Sequence, residues 1–146
     1  MVTIAVLGIV LAIAVPNFRT FILNGRMTGY ANDMLSTLAY VRSEAVKRAA
    51  NVTVCASSDG STCTGGGWQG GWVVRDGAGN VLKVREALEG TTTLTGASTI
   101  TFNGNGRMVL PVAATTLTLS PGYAGVDGRQ IQIDLSGRAR SCRPTC

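Results

Sequence analysis

The sequence predicts an α+β protein: one long N-terminal helix packed on a C-terminal, antiparallel, β-rich globular head. Three observations carry this. Residues 1–23, MVTIAVLGIVLAIAVPNFRTFIL, hold no charge before Arg19 and only Thr3 and Asn17 as polar side chains before it. Residues 24–50 repeat apolar side chains in steps of three and four, the mark of one helix face. From residue 51 the period falls to two, in short runs separated by Gly-, Asn- and Asp-rich turns.

As a helix, residues 1–18 extend roughly 27 Å at about 1.5 Å per residue. That is close to the ~30 Å of a bilayer's hydrocarbon core. Gly8 and Pro16 lie inside the stretch, and lipid-embedded helices tolerate such residues. Residues 1–23 are therefore expected to be a single-pass membrane anchor. Two other readings are weaker. A cleaved secretory signal would use Ala12-Ile13-Ala14 as its site, but the basic n-region is missing and the helical pattern runs on past the cut. A 146-residue chain also has little reason to bury a helix that is apolar on every side.

In 24–50 the stripe is Met27, Ala31, Met34, Leu38, Val41, Ala45 and Ala49, with Leu35 and Val46 beside it. This half is expected to lie on a sheet. Glu44 and Arg48 form an i,i+4 pair in the favoured order, stabilising by a few tenths of a kcal/mol if solvated. The head, 51–146, has expected strands at 52–56, 71–75, 81–85, 91–95, 99–103, 107–112, 116–119, 129–135 and 138–142. Turn signals separate them, including 58–60, 76–80, 103–106 and 120–122. Short, locally connected strands favour an antiparallel meander or two small sheets.

Four cysteines form two close pairs, Cys55/Cys63 and Cys142/Cys146. Of three possible connectivities, adjacency favours these two. Bridging such short loops stabilises by only roughly 2 kcal/mol each, so their larger local effect is to pin loops. The zinc alternative has no His to help it and lacks paired C-x2-C spacing. Disulfides place the head in an oxidising periplasmic or surface compartment.

No nucleophile–base pair can be assembled, because His is absent and the cysteines are expected to be oxidised. No catalytic residue, metal ligand or cofactor site is assigned, and an enzyme is not expected. Gly65-Gly66-Gly67 and Gly70-Gly71 lack the Lys-Ser/Thr ending or helix context of a phosphate cradle. Residues 76–80 lack the distant Glu of a calcium loop.

The charge is +5, and eleven of thirteen cations are Arg, the side chain suited to bidentate contact with phosphate. From 128 to 146 there are four arginines, Arg129, Arg138, Arg140 and Arg143, against one acid, Asp134. Extended backbone puts Arg138 and Arg140 on the same side, about 7 Å apart. Gly137 is expected to leave one flank of the backbone open, and a Cys142–Cys146 bridge to tether the tail. Such forks suit phosphate oxygens. A basic edge strand that repels other sheets reads equally well from these residues. Aromatic side chains are scarce nearby, so stacking on bases is not expected.

Two sets of residues carry a family resemblance. MVTIAVLGIVLAIAVPNF, with its Gly and Pro, resembles the N-terminal helix of type IV pilins and pseudopilins. The basic leader, Phe-Thr-Leu and Glu that precede this Met in such proteins are absent, so a processed or truncated form is expected. In the head, Gly70-Gly71-Trp72-Val73-Val74-Arg75-Asp76 with Gly79-Asn80, then Ile100-Thr101-Phe102-Asn103 with Gly106-Arg107, then Ile131-Gln132-Ile133 with Ser136-Gly137-Arg138-Ala139-Arg140 and Cys142, resembles the FimT/GspH family of minor pilins and pseudopilins. The resemblance implies a type IV pilin-like fold, contact with other pilins through the N-terminal helix, and residence in the bacterial inner membrane and periplasm before assembly into a surface pilus. Members with a C-terminal Gly-Arg-x-Arg bind DNA for uptake in natural transformation. Here that implies Gly137, Arg138 and Arg140, with Arg143 and Arg129 adding charge, contacting the phosphate backbone without sequence preference. Other members are structural tip or priming subunits of a pilus or a type II secretion pseudopilus, with no DNA ligand.

Overall fold

The apolar stretch and the amphipathic stretch join in one helix, α1 (Val2–Arg48), 47 residues long. A computed structural model describes residues 2–143, with side chains at Thr3 and from Phe18 onward. The anchoring roles expected of Gly8 and Pro16 and the bridge expected at Cys146 therefore fall outside the described side chains. Among the described residues no helix is long and apolar enough to cross a membrane. Most side chains of the segment expected to do so, residues 1–23, lie outside the described ones.

The helix ends two residues sooner than its pattern suggests. Ala50 N–H donates to the Ala45 carbonyl at 3.2 Å and Ala49 N–H to the Val46 carbonyl at 3.2 Å. This is the paired closure of a Schellman motif, whose outer residue is left-handed and usually Gly. Here it is Ala49, at φ 48°, and it is exposed. Ala49 thus leaves the stripe, because the chain turns away beneath it. The other six stripe positions, from Met27 to Ala45, are all buried.

Nine strands follow among the described residues: β1 (Val52–Ala56), β2 (Trp72–Asp76), β3 (Val81–Arg85), β4 (Thr93–Thr95), β5 (Thr99–Phe102), β6 (Met108–Leu110), β7 (Thr115–Ser120), β8 (Arg129–Ile133) and β9 (Ala139–Cys142). They make two antiparallel sheets, ordered β3-β2-β1-β5-β6 and β4-β7-β8-β9. Because β4 leaves for the second sheet, β1 pairs with β5 directly, Val54 opposite Ile100. Helix α1 packs against β1 and β5 of one sheet and β8 and β9 of the other, so one apolar stripe closes both.

Two tryptophans fill the centre. Trp68, in a short 3-10 turn (Trp68–Gly70), meets Trp72 edge to face with ring centroids 6.4 Å apart. Buried indole N–H groups need acceptors. Trp68 Nε1 donates to the Ala97 carbonyl at 2.9 Å, and Trp72 Nε1 to Thr37 Oγ1 at 3.3 Å. Thr37 is a buried polar residue of α1, and this bond accounts for it. At the rim Arg85 Nη2 reaches Asp33 at 3.1 Å while its guanidinium lies 5.7 Å from the Trp72 ring centroid, fixing the helix to β3.

The expected Cys55–Cys63 disulfide is present. Its loop is ordered by Asp59, whose Oδ1 accepts from Ser61 N, Thr62 N and Ser57 Oγ at 2.8–2.9 Å. Foremost the Thr62 hydroxyl, donating to Oδ2 at 2.6 Å, and then those donors hold the Asp59 carboxyl far below the usual carboxylate range. Cys142 is also disulfide-bonded.

Candidate nucleic-acid interface

The basic tail is a hairpin, β8 and β9 joined at 134–138. Alternation decides its faces. Ile131 and Ile133 are buried while Gln132, between them, is half-buried on the outer side. On β9, Ala139 packs against the core, and Arg138 and Arg140 on either side of it are exposed. β9 is the free edge of its sheet.

The two motif arginines differ in their surroundings. Arg138 has no partner among the described residues. Arg140 stands opposite Gln132 in register and donates through Nε, at 2.9 Å, and through Nη2 to Gln132 Oε1. A guanidinium has five N–H donors, so three remain for an anion while Gln132 fixes the plane of the fork.

The structure separates the other two arginines from this pair. Arg143 is exposed and ion-paired with Asp127 at 3.5 Å. Arg129 shares the inward face of β8, donates from Nη2 to Thr28 Oγ1 of α1 at 2.7 Å, and has a buried Nε without a partner. Its charge is committed to the helix contact.

Gly137 also departs from its expected role. It is buried, at φ 81°, and a Cβ there would run into the Gly106 carbonyl and stand 3.2 Å from both Arg42 Nε and Phe102 Cε1. The backbone is closed at this flank because the turn packs on the neighbouring turn. Gly137 shapes the loop and does not open it.

An open groove of about 680 Å³ runs between α1 and this turn, with Leu35, Arg42 and Lys47 on the helix side and Arg138 and Ala139 opposite. Arg42 Nη1 donates to the Gly137 carbonyl at 3.3 Å. Sequence reasoning missed Arg42, because nothing in a helical pattern shows which exposed cation will meet a turn 95 residues later.

A long helix packed on antiparallel sheets is the type IV pilin-like fold. The family described as type II transport protein GspH matches residues 30–137, and the chain belongs to this family of minor pilins and pseudopilins. The match stops one residue before Arg138. Among solved structures, the type IV minor pilin FimU of Pseudomonas aeruginosa is similar, at 22% identity over 80% of this chain and 87% of that one, with a TM-score of 0.65. The minor pseudopilin EpsH from the type 2 secretion system of Vibrio cholerae is similar at 13% identity, over 82% and 98%, with a TM-score of 0.59. At those identities the likeness is one of fold. No curated protein sequence matches the chain significantly.

Proposed function

We propose that this protein is a minor pilin that binds extracellular DNA through the phosphate backbone, without sequence preference, for uptake in natural transformation. One observation carries it. Arg138 and Arg140 stand exposed on one side of a free edge, either side of an inward Ala139, and no acid among the described residues pairs with either. Residues 1–23 are the membrane stalk, 24–50 continue it as an amphipathic helix, and 51–146 form the head. Phe18, Phe21 and Ile22 are exposed at the start of the described side chains, which suits burial in lipid before assembly and against other pilins afterwards.

The second reading is a structural tip or priming subunit of a pilus or pseudopilus with no DNA ligand. The exposed apolar helix and the likeness to EpsH favour it equally. The two separate in one experiment on the full chain in a non-ionic detergent. Labelled duplexes of two unrelated sequences should bind with the same affinity at low salt and compete for one site. Absence of binding at low salt would sink the DNA reading and leave the structural subunit.

A further inference from the structure

The hairpin that carries Arg138 has a twin. In 134–138 (Asp-Leu-Ser-Gly-Arg), Asp134 N–H donates to the Arg138 carbonyl at 2.9 Å and Gly137 N–H to the Asp134 carbonyl at 2.8 Å. In 103–107 (Asn-Gly-Asn-Gly-Arg), Asn103 N–H donates to the Arg107 carbonyl at 2.9 Å and Gly106 N–H to the Asn103 carbonyl at 2.8 Å. Both glycines are left-handed, at φ 71° and 81°. This is the three-residue hairpin loop with a left-handed third residue, built twice and each time followed by Arg. A third such turn, 76–80, carries Asn80 in that place.

The two Gly-Arg turns touch. The Gly106 carbonyl abuts Gly137, and Arg42 Nε lies 3.1 Å from where a Cβ on Gly106 would sit and 3.2 Å from the same point on Gly137. Met108 N–H, just after the first turn, donates to the Leu135 carbonyl of the second at 3.1 Å. Met108 and Ala139 turn inward, so Arg107 and Arg138, each one residue earlier, turn outward; both are exposed. Most other head arginines are engaged: Arg85 and Arg143 with acids, Arg75 with a carbonyl, Arg129 with a hydroxyl. The guanidinium groups of Arg107 and Arg138 have no partner among the described residues.

We propose that Arg107 is a second phosphate-binding arginine, set beside Arg138 by the paired Gly-Arg turns, with Arg42 supplying the charge between them. This rests on the DNA reading and extends it from an edge strand to a site shared by both sheets. The turns that carry Arg107 and Arg138 touch, and no acid among the described residues is ion-paired with either arginine or with Arg42, so their local positive field favours a bound phosphate chain. Protective charge alone would place an arginine beside each edge strand, β6 and β9, but it gives no reason for the two Gly-Arg turns to pack against each other.

The test is the salt dependence of duplex binding by the full chain in non-ionic detergent, comparing Arg107→Gln, Arg107→Lys, Arg138→Gln and Arg26→Gln. Arg26 is the control: it is exposed and ion-paired with Glu89, away from both turns. Each lost phosphate contact lowers the slope of log affinity against log salt by about 0.9. Arg107→Gln should flatten the slope by that amount, as Arg138→Gln does, while Arg107→Lys and Arg26→Gln keep it. Arg107→Gln behaving like Arg26→Gln while Arg138→Gln flattens the slope overturns the shared site and spares the DNA reading. No binding by the unmutated chain at low salt overturns both.

Discussion

The carbonyl oxygen of Gly106 occupies the space into which any side chain on Gly137 would have to project. Two β-turns from different sheets are thereby locked at their tightest points, and the Gly of the Gly-Arg-x-Arg motif is a packing requirement. Gly137→Ala meets both a left-handed backbone, costing about 1–2 kcal/mol, and overpacking, costing about 1–3 kcal/mol. Urea denaturation should show a loss of about 2–5 kcal/mol; a loss below ~0.5 kcal/mol would mean the turns are not locked in this way.

The helix terminus offers the opposite change. Ala49 holds a left-handed conformation at φ 48° in which its Cβ has no packing to contribute, since it is exposed. Ala49→Gly should stabilise the protein by about 1 kcal/mol by removing that strain. A destabilisation on thermal or urea unfolding would contradict the Schellman geometry.

Thr37 matters through its hydroxyl. Thr37→Val keeps the shape but leaves the buried Trp72 N–H without an acceptor, at a cost of about 1–3 kcal/mol. A neutral result in denaturant titration would show that the indole finds another partner.

Stability should depend on pH in the acid range. The Glu44 carboxyl is held low chiefly by the Arg48 hydrogen bond, and Asp76 chiefly by Asn80. Asp59 is held low by its loop donors. A carboxyl depressed in the folded state contributes stability above its unfolded pKa of about 4 and loses it as pH falls through the folded value. Unfolding free energy should therefore be level above about pH 5 and fall below about pH 4. Asp59→Asn should flatten part of that fall; an unchanged profile would remove Asp59 from the explanation.

Much of this structure was legible in the residues. Runs of strand-forming residues between turn signals located the nine strands among the described residues, the half-buried ones such as β8 by their alternation and the more fully buried β2 as a continuous apolar run. The stripe from Met27 to Ala45 was legible for the same reason. What escaped was non-local. The pattern that makes 93–95 a strand does not say which sheet takes it. Nor does it show that Arg129 faces Thr28, that Gln132 braces Arg140, or that Gly137 meets Gly106. The repeated Gly-Arg at 106–107 and 137–138 was visible, but its meaning depends on two turns touching across the sheets.

Division of the chain into stalk and head has its own check. Deleting residues 1–23 should leave a soluble, oxidised head, because only one face of the remaining helix is apolar. Non-reduced digestion should then show Cys55 linked to Cys63 and Cys142 to Cys146. An insoluble but correctly oxidised fragment would refute the division, and a different linkage would remove the tether from the tail.

DNA binding by the motif is tested most directly by the salt slope of Arg138→Gln combined with Arg140→Gln. Both side chains are exposed, so the fold should be retained, as circular dichroism would show. Two lost phosphate contacts should flatten the slope of log affinity against log salt by nearly two units, at about 0.9 each. Arg75→Gln and Arg85→Gln, with the same charge change on other strands, should shift it far less. An equal small loss for every arginine would mean diffuse attraction to a +5 protein, and would contradict a site at Arg138 and Arg140.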